Sequence, residues 1–239
     1  MKSIPILMYH NIGQPPVGAK LRGLYVRRGA FARQMWLLKL LGYKGLSMSA
    51  ALPYLRGEKS GRVVAITFDD GYIDTLELAL PILNAVGFSA TCYFVSGRSG
   101  QYNDWDAAAL NVQKKLMTDD QIKAWQAAGM EVGAHSRTHP RLTKCTDEEL
   151  QTELAGSKAD LEALTGSAVT QFCYPYGDLD ERVSKAALNA GYEAATTVQR
   201  GRASPGDDLM QLRRILVSGS SMLYLFLIKL LTNYEDKRG

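Results

Sequence analysis

Histidine and cysteine are both scarce in this chain, three of each in 239 residues. Cys92, Cys145 and Cys173 are too few and too scattered for a disulfide framework, and no CxxC pair offers a thiolate zinc site. The odd count fits a reducing compartment. There is no run of lysines and arginines and no RNA-binding signature, so a net charge of +4 gives no footing for a nucleic-acid partner. No apolar stretch approaches the ~20 residues that a membrane span requires. The opening segment Met-Lys-Ser-Ile-Pro-Ile-Leu-Met-Tyr-His breaks its apolar run at Pro5, too early for a signal-peptide core, so the sequence reads as cytoplasmic. No repeat and no Pro-, Gly- or Ser-rich linker divides it. What remains is a globular composition, 46% hydrophobic and 22% charged, long enough to bury one substantial core.

Strand-like and helix-like segments alternate along that length. Short apolar runs predict strands at 4–9, 63–68, 90–95, 131–135, 170–174, 193–198 and 212–217. Helical spacing of Phe31, Met35, Leu38 and Leu41 predicts a helix ending at Gly42, and another is expected from about 74 to 86, stopped by Gly87. Thr118 with Gln121, and Thr146 with Glu149, have the spacing of capping boxes that open two more helices. Residues 181–189 and 222–231 complete the helical set, and 97–116 reads as an irregular insertion. Repeated β-then-α units favour parallel strands wrapped by helices. The expected fold is a single α/β domain over residues 1–239, a barrel of about seven strands.

Chemistry concentrates at two points. In Thr67-Phe-Asp-Asp-Gly71, Asp69 and Asp70 close an apolar strand and precede a turn, the position at which α/β barrels place their reactive groups. Adjacent acidic residues also fit a solvated turn, but two carboxylates can divide the work of a hydrolase, one ligating a cation and one taking a proton. His135 and His139 are two of only three histidines and fall at another predicted strand end. Two imidazoles and a carboxylate make a facial metal triad. Pro140 disfavours helical backbone at His139, so that histidine is expected in a turn. His10, the third, also ends a predicted strand and would share the same rim; a general-acid role and a structural role are both open to it.

At these residues the chain resembles the polysaccharide deacetylases of the NodB-homology type, carbohydrate esterase family 4. TFDDG at 67–71 and HSRTH at 135–139 look like the first two family motifs, and FCYPYG at 172–177 looks like the third. The resemblance implies a distorted (β/α)7-type barrel that removes N-acetyl groups from amino sugars with a divalent metal, usually Zn²⁺. By position it implies Asp69 as base, Asp70, His135 and His139 as metal ligands, and the Tyr176 amide at the oxyanion, with Ser136 or Thr138 bracing the histidine loop. Tyr72, Trp105 and Pro175 would line the substrate side. The third motif's arginine is replaced by Cys173, and no histidine follows His139 to supply the usual late general acid. Both departures resemble the circularly permuted deacetylases of poly-N-acetylglucosamine, in which an early M-Y-H segment supplies the acid; Met8-Tyr9-His10 matches it. Arg214 is the expected substitute for the missing arginine, although Arg213 and Arg214 also fit a pair of surface charges.

The segment 222–231 is the one unusual apolar run, about half a membrane span in length. It reads either as a helix that closes the barrel or as a helix lying at a membrane surface. Three functions compete: hydrolysis of an N-acetylated amino sugar in a polymer, deacylation of a lipid- or nucleotide-linked sugar, and carbohydrate binding without catalysis. A scaffold held together by a zinc site is a fourth possibility, distinguished by unfolding when metal is removed.

Overall fold

The structure, a computed structural model, describes residues 3–219 and 222–238. Its first strand, β1 (Ile6–Tyr9), is buried along its whole length, as a barrel strand packed inside and out must be. Two short strands, β2 (Asn11–Ile12) and β3 (Tyr25–Val26), pair with each other beyond it, followed by α1 (Arg28–Leu40). Next come β4 (Lys44–Leu46), α2 (Met48–Leu55), β5 (Val63–Phe68), α3 (Leu80–Val86), β6 (Thr91–Phe94) and the short α4 (Ala107–Leu110). The chain continues through α5 (Asp119–Ala127), β7 (Glu131–Ala134), α6 (Asp147–Gln151), α7 (Ser157–Thr165), β8 (Gln171–Cys173) and α8 (Glu181–Asn189). It ends with β9 (Ala194–Arg200), β10 (Leu212–Leu216) and α9 (Leu223–Leu231).

Every pairing in the main sheet is parallel. β1 pairs with β5 from Ile6↔Ala65 to Tyr9↔Phe68 and with β10 at Leu7↔Ile215, which closes the sheet. Seven strands, β1 and β5 to β10, form the barrel, and β4 adds to the first half of β5. This is the single-domain (β/α)7-type barrel expected from the alternation. Between strands and helices, Tyr9 of β1, Phe68 of β5, Phe31 of α1 and Trp125 of α5 form a chain of ring contacts with centroids 5.2–6.1 Å apart. Such pairs add about 0.5–1.5 kcal/mol each beyond their burial. Parallel strands bring their C-terminal ends to one rim, so the residues that follow β1, β5, β7 and β8 meet there.

The structure differs from the sequence expectation in its small elements. β2, β3, β4 and α2 have no counterpart among the elements expected from the sequence. β4 is three residues around Gly45, whose added Cβ would stand 2.4 Å from Phe88, so the strand carries no alternating pattern. The helices over 75–86 and 147–165 each contain a π-turn, at Thr75–Ala79 and Thr152–Gly156. Both capping boxes form completely. Helix α9 buries Phe226, Lys229 and Leu230 and leaves Leu223, Tyr224, Ile228 and Leu231 exposed, as is Met222 just before it. Among the described residues, no helix is long and apolar enough to cross a membrane.

Candidate active site

At the end of β5 the chain turns abruptly. Asp69 still donates its N–H to Tyr9 O at 3.0 Å, as a strand residue would. Asp70 then takes φ 73° and Gly71 φ 76°. Left-handed backbone at Asp70 is strained, and such residues concentrate at functional sites. Gly71 has a second constraint, because an added Cβ would lie 2.7 Å from the Phe94 ring. The turn overrides strand alternation and brings both carboxylates to the same end of the barrel. Ser136, His139 and Tyr176 are also left-handed, at φ 62°, 65° and 59°.

Asp70, His135 and His139 converge. Asp70 Oδ1 lies 3.4 Å from His135 Nε2 and 3.5 Å from His139 Nε2, and the three potential ligand atoms lie within 4.8 Å of one another. All three side chains are buried. His135 Nδ1 sits 2.7 Å from the Cys173 carbonyl oxygen, which requires that nitrogen to carry a proton and turns Nε2 toward Asp70. The His139 ring lies between Trp105, stacked at 4.6 Å, and Tyr176, edge-on at 4.6 Å, and its buried Nδ1 has no protein partner. Burial by itself would raise the Asp70 carboxyl, but hydrogen bonds with the two imidazoles hold it well below the usual carboxylate range. Burial would lower His135, yet Cys173 and Asp70 beside it push the imidazole well above its ordinary value. Two nitrogens and a carboxylate oxygen, buried and facing one another, suit a divalent cation, and the mixed imidazole–carboxylate chemistry suits Zn²⁺.

Asp69 faces a different partner. Arg214, fully buried on β10, holds it with two parallel bonds, Nη1–Oδ1 and Nη2–Oδ2, both 2.7 Å. The remaining guanidinium donors go to Thr197 O at 2.8 Å, Thr67 Oγ1 at 3.1 Å and Cys173 Sγ at 3.2 Å. Every donor of the fork is used, which is how a buried arginine is accommodated. Burial would raise Asp69, but the Arg214 charge and hydrogen bonds outweigh it and keep the carboxyl below its usual value. His10 Nε2 lies 3.7 Å from Asp69 Oδ2 on the more exposed side.

The structure thus gathers Asp69, Asp70, His10, His135, His139, Trp105, Tyr176 and Arg214 at one rim. Arg214 is in the core and not on the surface. Tyr72 and Pro175 are buried; the Tyr72 hydroxyl accepts a bond from Asn103 at 3.0 Å, and burial together with the hydrogen-bonded Asp70 carboxylate pushes its phenol well above the ordinary value. Tyr176 donates its hydroxyl to Asp106 Oδ1 at 3.2 Å, and the Arg141 guanidinium lies 4.6 Å over its ring. Asp106, Arg141 and the Cys173 carbonyl were not singled out from the sequence. They sit in turns and at a strand end, where no periodicity marks them.

A parallel barrel with this constellation at its C-terminal rim defines a class of hydrolase. Residues 56–195 match the sequence profile described as polysaccharide deacetylase, and the chain belongs to that family, hydrolases acting on the amide bonds of carbohydrates. It is 32% identical over 217 residues to "Putative polysaccharide deacetylase YxkH" of Bacillus subtilis, a match covering 90% of this chain and 71% of that protein. It is 22% identical over 222 residues to a poly-beta-1,6-N-acetyl-D-glucosamine N-deacetylase of Staphylococcus aureus, covering 91% and 76% of the two. Among solved structures, the Streptococcus pyogenes deacetylase PplD in complex with acetate superposes with a TM-score of 0.83 at 27% identity, covering 96% of this chain and 98% of that one.

Proposed function

We propose that residues 1–239 form a metal-dependent N-deacetylase that hydrolyses the N-acetyl amide of an amino sugar in a polysaccharide or oligosaccharide. The observation that carries this is the juxtaposition of two separately handled carboxylates. Asp70 faces two histidines, whereas Asp69, next in the chain, faces an arginine and His10. Asp70, His135 and His139 would hold the divalent cation, which supplies positive charge that acidifies water and polarises an amide carbonyl.

The chain's own groups divide the remaining work. Asp69, kept ionised and oriented by Arg214, accepts the proton of the attacking water. The hydroxide equivalent forms the new C–O bond to the amide carbon, and the backbone N–H of Tyr176 stabilises the oxygen on which charge develops. The C–N bond then breaks, its electron pair staying on nitrogen, and His10 delivers the proton that lets the amine leave. The products are a carboxylate and a free amino sugar. The acetate in the PplD structure and the poly-N-acetylglucosamine substrate in the name of the S. aureus relative fit this class. The test is mass spectrometry of a panel of acylated amino sugars incubated with zinc-loaded protein. Loss of one acetyl mass per hexosamine is the expected result. Tight glycan binding with no mass loss would instead assign the chain to carbohydrate binding.

One feature favours a membrane-proximal version of this function. Met222, just before α9, and Tyr224 on it are 65% and 60% exposed, alongside Leu223, Ile228 and Leu231. Lys237 and Arg238 follow close by. A short amphipathic helix of this kind suits an anionic lipid surface. Co-sedimentation with phosphatidylglycerol vesicles, lost in a Met222→Ser/Tyr224→Ser/Ile228→Ser variant, is the outcome this version requires.

A further inference from the structure

The two histidines of the site are joined by the loop Ser136-Arg137-Thr138, and its backbone is held from outside by one face of a single helix. Glu153, 8% exposed, accepts hydrogen bonds from the Arg137 N–H at 2.8 Å, the Thr138 N–H at 2.8 Å and the Thr138 hydroxyl at 2.6 Å. One turn later the Ser157 hydroxyl donates to Ser136 O at 3.0 Å. One turn further, Asp160 accepts from Arg137 Nε at 2.9 Å and from the Ser96 hydroxyl at 2.9 Å. Residues 153, 157 and 160 follow the i, i+4, i+7 spacing of one helical stripe. The π-turn at Thr152–Gly156 lies within this stripe, and such turns recur at functional sites. From the turn after β6, Ser96 and Gly97 donate their N–H groups to Ser136 O and Arg137 O at 3.2 and 2.9 Å. Gly97 is required there, because an added Cβ would lie 2.7 Å from Arg137 O.

A buried carboxylate spent on two peptide N–H groups and a hydroxyl is a costly way to hold a surface loop. Ser136 and His139, within or at the end of that loop, are held in left-handed backbone that would relax without support. We infer that Glu153, with Ser157 and Asp160, is a positioning element that fixes the separation and orientation of His135 and His139, and thereby sets the cation affinity of the site. This rests on the metal-site reading given above. Removing an outer partner of this kind typically weakens metal binding about 10–100-fold.

The test uses the full chain stripped of metal by chelation. Zinc affinity is measured by competition with a chromophoric chelator, and backbone amide exchange is followed in the metal-free protein. Glu153→Gln keeps the size of the side chain but loses one acceptor atom, and should weaken zinc binding roughly 10–100-fold. It should also speed exchange at Arg137 and Thr138 while core strand amides stay protected. Ser157→Ala, which removes a single bond, should move both readouts in the same direction by less, and serves if Glu153→Gln does not fold. Leu161→Ala, a cavity variant in the same helix, should lower thermal stability without changing zinc affinity. Zinc affinity within twofold of wild type in both loop-contact variants overturns the inference. A folded wild-type chain that binds no divalent cation overturns the metal-site reading itself, and this inference with it.

Discussion

Adjacent residues with the same carboxylate can do different jobs only if their surroundings differ, and here they do. Asp69→Asn cannot accept the water proton, so turnover should be abolished while zinc, measured by elemental analysis, is retained. Loss of zinc in that variant would show that the two carboxylates have been assigned the wrong way round. His10→Ala should lower kcat by about 10²–10⁴-fold with zinc content unchanged, the usual worth of general-acid help. Near-wild-type kcat would remove His10 from the mechanism. Arg214→Met leaves Asp69 buried without its partner, and breaking a buried pair in this way costs roughly 3–5 kcal/mol. Urea denaturation should therefore show a lower midpoint, and the pH–rate profile should move its acidic limb upward as the Asp69 carboxyl loses the charge that holds it down.

At the scale of elements, the carboxyl-terminal helix is tied to the barrel by charge as well as by apolar contact. Glu235 is fully buried and meets Arg200 of β9 at 2.6 Å and Lys229 of α9 at 3.1 Å. Burial alone would raise its carboxyl, but the bonds from Arg200 and Lys229 hold it below the ordinary 4.5. A carboxyl lowered on folding contributes stability that is present above the unfolded value and disappears as pH falls through the folded one. The melting-temperature gap between wild type and Glu235→Gln should therefore be widest near neutral pH and shrink below about pH 4.5. A gap that does not depend on pH would mean that Glu235 contributes packing only. Phe226, buried on the same helix, predicts a loss of about 3–5 kcal/mol on substitution by Ala.

For the whole molecule, the barrel and its helices share a core that contains none of the proposed cation ligands. Leu7, Ile66, Phe68, Phe94 and Ile215 belong to one contiguous buried cluster that also holds residues of the surrounding helices. Chelation should therefore abolish turnover but leave the far-ultraviolet circular dichroism of a folded α/β protein. The melting temperature should fall only by the binding contribution, about 4 kcal/mol at a thousandfold excess of free zinc over Kd. Unfolding on chelation would make the site a structural one.

The sequence by itself determined the parts of this protein that rest on local chemistry. Apolar runs of strand length, helices opened by Thr118 and Thr146, and acidic and imidazole groups at strand ends are all short-range signals. Parallel connectivity alone then places every strand end on one rim, which is why Asp69, Asp70, His10, His135 and His139 read as one candidate site from the sequence. Tertiary structure decided the rest. Arg214, which the sequence left open between the missing motif arginine and a surface charge, is 145 residues from Asp69 along the chain, and only barrel closure makes it a buried clamp. Cys173 leaves its carbonyl to His135 and its sulfur to Arg214, a dual contact that no motif position announces. Glu153 sits in the helix opened by Thr146, at a position no motif marks, and the packing of that helix places it beneath the histidine loop. These roles depend on which backbone groups are left without partners after the strands have paired, and that is settled by packing between distant elements, which no local pattern encodes.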